Sequence, residues 1–217
     1  MEIRRTANAG VLLKLDGISI LMDGVCREVK PYLATPPKER EALQRSWPDV
    51  VAFTHAHKDH YDPDYAAAYQ KQTGGVILGP GDLPGCASTM DAITVGGVTV
   101  VPIPSRHIGI AGKTTSHTSF LIRGSRTVLF TGDASPLQWK TKEDLPKPDV
   151  LIAPYAYANS LSGWSVTKFL TPGAVVLLHM PSRELDEAGL WPAVETVIRQ
   201  AEPVSITIPG MGDILHY

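Results

Sequence analysis

The chain is predicted to be an α/β protein in which two β-sheets pack face to face with helices on their outer sides. Three observations predict it. Apolar runs flank two-residue glycine-bearing turns at three places, the pattern of β-hairpins. Other runs are short, continuously apolar and rich in β-branched residues, as strands buried on both faces are. Several of these strands run out into a His or an Asp, and open α/β proteins build their sites in such loops.

The elements follow in order. Residues 10–15 and 18–22 flank Asp16-Gly17, a strong hairpin signal. Asp23 closes the second strand, where it reads as a turn cap or as a partner to a buried site. An irregular, proline-bearing loop spans 24–36, and a short helix is expected over 35–43. Residues 49–53 form a buried strand. Asp62 is a good N-cap, with Pro63 in the first helical position and a helix running through 64–71. Residues 76–78 are a strand. Residues 93–95 and 98–103 flank Gly96-Gly97, and 119–122 and 127–130 flank Gly124-Ser125. Strands are expected at 150–152, 174–178 and 204–208. A helix is expected over 184–200, with Leu185, Ala188, Leu190, Val194, Val197 and Ile198 on one stripe and a kink at Pro192.

At 217 residues the chain reads as one domain, residues 1–217, able to bury a large core. A net charge of −2 and the lack of any Lys/Arg run predict no nucleic-acid partner. The apolar stretch from Ala9 to Leu15 is broken by Lys14 and followed by Asp16, so the N-terminus does not read as a signal peptide. No apolar run is long enough to span a bilayer, and no membrane association is expected. Cys26 and Cys86 fit no paired-cysteine pattern and are expected as free thiols in a reducing compartment. A cytoplasmic location is therefore expected. The oligomeric state leaves no mark in the sequence.

The chemistry concentrates after the strand at 49–53. Thr54 leads into His55-Ala56-His57-Lys58-Asp59-His60, three imidazoles and a carboxylate within six positions. Neither helical nor strand spacing can put all four on one face. A loop folded around a cation can, and neutral imidazole and ionised carboxylate suit zinc, manganese and iron. The plainer alternative is a solvated histidine-rich turn, and the donors found elsewhere in the chain weigh against it. More donors follow other strands: His107 after 98–103, Asp133 in Thr131-Gly132-Asp133, and His179 directly after 174–178. Alone, His107 or His179 would be a satisfied histidine and Asp133 a turn cap. In series they read as ligands.

In that series the chain resembles the metallo-β-lactamase-fold hydrolases, over essentially its whole length. The segment 153–181 is most similar to the branch containing the ascorbate-6-phosphate lactonase and related hydrolases. The resemblance implies a four-layer αββα sandwich of two mixed sheets. It also implies a dinuclear centre of two divalent metal ions, zinc first and manganese or iron as alternatives. His55, His57 and His107 would hold one ion, Asp59, His60 and His179 the other, and Asp133 would bridge them. Asp59 also counts among the catalytic groups. A hydroxide between the ions would cleave an ester, lactone or phosphoester of a small-molecule substrate. Metal coordination brings the pKa of water down to about 7, which supports that chemistry.

Other residues carry open readings. His117 reads as a general acid, as a partner orienting a ligand carboxylate, or as a structural histidine. Lys58, Arg106 and Lys113 flank ligand positions and either receive a phosphate or carboxylate or are simply solvated. Tyr155, Tyr157 and Trp164 are expected in a loop, as pocket wall or as packing. His216 reads as ordinary. Specificity is expected in loops 24–36, 108–116 and 155–165. Alternative functions are a nuclease or phosphodiesterase of the same fold, for which a basic track is missing, and a non-catalytic metal-binding protein. A redox di-iron protein ranks below hydrolysis, because the oxygen-reducing branch of the fold carries a carboxylate where His57 stands.

Overall fold

Two seven-stranded mixed sheets form the centre of the molecule, seen in a computed structural model that describes all residues except 110–113, 143 and 201–203. The first sheet holds β1 (Glu2–Arg5), β2 (Val11–Leu15), β3 (Ile18–Met22), β4 (Val50–Ala52), β5 (Ile77–Leu78), β6 (Ser88–Thr89) and β14 (Ile214–His216), in the order β14-β1-β2-β3-β4-β5-β6. The predicted first hairpin is β2–β3. Its turn residues Asp16 and Gly17 have φ of 52° and 84°, the left-handed pair that a tight hairpin turn requires.

The second sheet holds β7 (Ile93–Val95), β8 (Val98–Arg106), β9 (Ser116–Arg123), β10 (Thr127–Phe130), β11 (Val150–Pro154), β12 (Ala174–Leu178) and β13 (Ser205–Thr207). Its order is β13-β12-β11-β10-β9-β8-β7, antiparallel from β7 to β10 and parallel from β10 to β13. β8 runs three residues beyond the expected end. Its first residues pair with β7 on one side, but the β7 register stops at Val100. Pro102 and Pro104 lie beyond that point and pair only with β9, so their missing N–H groups cost no ladder bond.

The helices are α1 (Pro37–Arg45), α2 (Pro63–Thr73), α3 (Ala156–Asn159), α4 (Leu161–Leu170) and α5 (Leu190–Arg199). Three apolar layers hold these elements together. Between the sheets, Leu13, Ile20 and Val50 meet Val100, Phe120, Ile152 and Val176. Outside the first sheet, Leu21, Val51 and Phe53 pack against Leu43 of α1 and Tyr65 and Tyr69 of α2. Outside the second, Leu129, Leu151 and Val175 pack against Tyr157, Val166 and Val194. Neighbours such as Val50 and Val51 thus point into different layers, which is why the central strands are apolar at every position.

Three expectations need correction. The helix expected over 184–200 begins only at Leu190, after a single 3-10 turn at Arg183–Leu185. The Asp186 carboxylate accepts the Leu190 and Trp191 amides, which starts the helix there. Pro192 then lies in the first turn, where its missing donor is tolerated, and it is no kink. The expected loop at 155–165 is largely α3 and the start of α4. Strands β1, β6 and β14 were not predicted; each is short, and β6 and β14 are sheet edges.

Candidate metal centre

All the predicted ligands meet at one rim of the sandwich. β8, β10 and β12 run in one direction, so His107, Asp133 and His179 leave the second sheet at one end. The β4 end of the first sheet delivers His55, His57, Asp59 and His60 to the same place. Backbone bonds join the two sheets here: the Thr118 amide donates to the Thr54 carbonyl at 2.8 Å, and the His179 amide to the Asn8 carbonyl at 3.2 Å.

The donor atoms form three groups, each within 4.8 Å: His55, His57 and His107; Asp59, His60 and His179; and His55, His60 and Asp133. Asp133 Oδ2 lies 3.4 Å from Nε2 of both His60 and His179, and 3.7 Å from Nε2 of His107. Asp59 Oδ2 lies 3.1 Å from His179 Nε2.

Hydrogen bonds behind the rings fix which nitrogen faces inward. The His55 Nδ1–H donates to Thr54 Oγ1 at 2.8 Å, and the Thr54 hydroxyl donates to Asp23 Oδ2 at 2.6 Å. The His60 Nδ1–H donates to the same oxygen at 2.8 Å, and the Thr54 amide donates to Asp23 Oδ1 at 2.7 Å. The His107 Nδ1–H donates to the Ile108 carbonyl at 2.8 Å. The Nε2 atoms of His55, His60 and His107 are buried and hydrogen-bond to no partner among the described residues, and that of His179 has the Asp59 carboxylate beside it. Inward lone pairs with no donor are costly in isolation, and a divalent cation is the species that satisfies several at once. The residues present therefore fit a metal centre.

The electrostatics agree at three of these groups and differ at His60. There burial lowers the imidazole, but Asp133 and Asp23 outweigh it and hold its pKa well above the ordinary value, so a cation bound there would displace that proton. Burial, with His60 beside it, pushes the His55 imidazole well below its usual range, so it is neutral as a ligand must be. Burial and His107 also lower His57. Burial works against the Asp133 carboxylate, but His179 and His60 outweigh it and hold its pKa well below the ordinary value.

Two backbone features support this arrangement. Asp23 and His179 have φ of 47° and 61°, a left-handed conformation uncommon for residues other than glycine. Gly132 is also left-handed, and a Cβ there would come within 2.4 Å of Thr54 Cγ2, against the residue that orients His55.

Asp23 is thus no mere turn cap: it is fully buried and holds Thr54 and His60. It follows β3 directly, so the strand-end pattern that marks the candidate ligands also points to it. Tyr32 carried no sequence signal. Its ring stands edge-on to His179 with centroids 4.2 Å apart, and burial with Tyr155 nearby pushes its phenol upward. Tyr155 itself lies 6.5 Å from His179. Tyr157 and Trp164 do not face the centre. Tyr157 is buried between the Trp139 indole and the Ala134 carbonyl, and Trp164 lies under Lys168 on α4. Lys58 and Arg106 are exposed, and Lys113 lies outside the described residues. His216 is exposed on β14, 4.0 Å from Glu2. Cys26 and Cys86 are free thiols, the first buried and the second half-buried.

The fold that carries this rim is that of a known class. Residues 2–172 match the beta-lactamase superfamily domain, and the chain belongs to that superfamily. It is 23% identical over 234 residues to a UPF0173 metal-dependent hydrolase of Methanopyrus kandleri, spanning 91% of this chain and 96% of the relative. Among solved structures it is similar to a possible metal-dependent hydrolase of Veillonella parvula, with a TM-score of 0.75, 16% identity and 99% and 98% of the two chains covered. It is likewise similar to the metallo-β-lactamase-fold protein YhfI of Bacillus subtilis, with a TM-score of 0.67, 16% identity and 99% of each chain covered. The four-layer metallo-β-lactamase fold is therefore the fold of this chain. No helix among the described residues is long and apolar enough to cross a membrane.

Proposed function

We propose that this chain, acting as a single domain, is a metal-dependent hydrolase that holds two divalent ions and cleaves an ester, lactone or phosphoester bond in a small molecule. The observation that carries the reading is a pair of three-residue donor groups with no member in common, His55/His57/His107 and Asp59/His60/His179, with Asp133 against both. The names of the Methanopyrus and Veillonella proteins, one a metal-dependent hydrolase and the other a possible one, point the same way.

Each donor group would hold one ion, with Asp133 shared. Five imidazoles and two carboxylates suit zinc best, with manganese and iron also accommodated. When bound, the ions supply an acidified water and polarise the bond under attack. The chain's own part is to fix the donors. Asp23 and Thr54 lock His55 and His60 with their lone pairs inward. Asp59 keeps negative charge beside His179, and Tyr32 walls that side of the centre. The proposed substrate is small, and no nucleic acid is proposed as a partner, since the sequence has no run of Lys or Arg to form a basic track.

A panel of lactones, carboxylic esters and phosphoesters, screened with zinc-, manganese- and iron-loaded protein, tests the reading. His57→Ala should abolish turnover while the fold, followed by circular dichroism, is kept. Turnover that survives this substitution would exclude the proposed site.

A further inference from the structure

We propose that His117 is a hydrogen-bond acceptor for a water held at this centre, its own proton locked on Nδ1 by a chain of hydroxyls. The inference rests on the metal-centre reading above but adds a residue outside the three ligand groups.

The chain of hydroxyls is directional. Ser119 Oγ donates to the Thr131 carbonyl at 2.7 Å, and a carbonyl can only accept. The Ser119 proton is thereby used, and its lone pairs are left for Ser105 Oγ, 3.0 Å away, which donates to it. With the Ser105 proton used as well, the 2.7 Å contact between Ser105 Oγ and His117 Nδ1 takes its proton from the imidazole. A neutral imidazole has one N–H, so Nε2 carries a lone pair. The β8–β9 register, which sets Ser105 opposite His117, holds this arrangement from the backbone.

Nε2 of His117 is buried and has no partner among the described residues. The ring stands 5.0 Å from that of His55 and 5.6 Å from that of His107, between the two sheets' contributions to the centre. The inward atoms around it are Nε2 of His55, His60 and His107 and the carboxylate of Asp133. With cations in the ligand groups their lone pairs are taken, and none of them can donate to another acceptor. Cations in the ligand groups would satisfy those groups but not His117. No described residue offers it a proton, and a water at the centre supplies an O–H that does. A proton on Nδ1 and a lone pair on Nε2 make His117 an acceptor rather than the general acid also considered from the sequence.

Nitrogen-15 NMR of labelled protein, metal-free and zinc-loaded, reads this directly, with His117 assigned by its loss in His117→Phe. The expected result is a protonated Nδ1 and an Nε2 shifted as a lone pair is on accepting a hydrogen bond. Ser105→Ala should mix the two tautomers, and Ser105→Thr, which keeps the hydroxyl, should restore one. His117→Phe should keep the wild-type zinc content and lower kcat about 10- to 100-fold with little change in KM. A proton on Nε2, an unchanged tautomer in Ser105→Ala, or the loss of a zinc equivalent in His117→Phe would each overturn the assignment. A wild-type chain that cleaves no member of the panel would instead sink the hydrolase reading, because tautomer and zinc content are read without turnover.

Discussion

Asp23 shows most plainly how single residues here serve the centre without facing it. One buried carboxylate receives three donors: the Thr54 amide, the Thr54 hydroxyl and the His60 Nδ1–H. Asn offers one acceptor oxygen and turns an NH2 towards groups that are themselves donors. Asp23→Asn should therefore cost about 1–3 kcal/mol of stability. It should also weaken metal binding about 10- to 100-fold, because His60 loses the group that fixes its tautomer. Thermal unfolding and competition with a zinc chelator measure the two effects. The proposed ligands were legible in the sequence because they lie in the loops that follow apolar strands. Asp23 obeys the same rule, but an aspartate after a strand is more often a turn cap, so the sequence left its role open. Tyr32 was not legible at all. It sits in an irregular loop, and only the tertiary fold brings its ring to His179.

At the scale of elements, local signals succeeded where a short chemical rule decides the outcome. The three hairpins formed as the glycine turns predict. α2 starts where its cap predicts, with the Asp62 carboxylate accepting the Asp64 and Tyr65 amides and pairing with Arg40 at 2.6 Å. Asp62→Ala should cost about 1–2 kcal/mol by removing the cap. Burial raises the Asp62 pKa, but the Arg40 and Tyr65 bonds outweigh it and leave it below the ordinary value. Its folded pKa is thus lower than its unfolded one. The stabilisation is complete above the unfolded value of about 4 and is lost as pH falls through the lower folded value. Urea unfolding of the wild type and Asp62→Ala at pH 7 and at pH 3 should show the gap between them shrinking at the lower pH. Local signals failed where a partner far away in the chain decides. β1 and β14 pair the two ends of the described chain, through registers such as Glu2 with His216, and no local pattern announces that pairing. The late helix starts at Leu190 because the Asp186 side chain takes its first amides, a choice that apolar periodicity does not see.

Across the whole molecule, the centre is shared between two sheets that otherwise meet through apolar packing. His55, His57, Asp59 and His60 come from one sheet, and His107, Asp133 and His179 from the other. Each proposed ion draws ligands from both sheets, so metal binding and the packing of the sandwich support each other. The most direct test is the metal content of protein purified without chelator or a nickel column, loaded with zinc and measured by elemental mass spectrometry. Two equivalents per chain are predicted, falling to about one in His57→Ala. One equivalent in the wild type would contradict the two-ion centre, and none after loading with zinc, manganese or iron would remove the metal centre altogether.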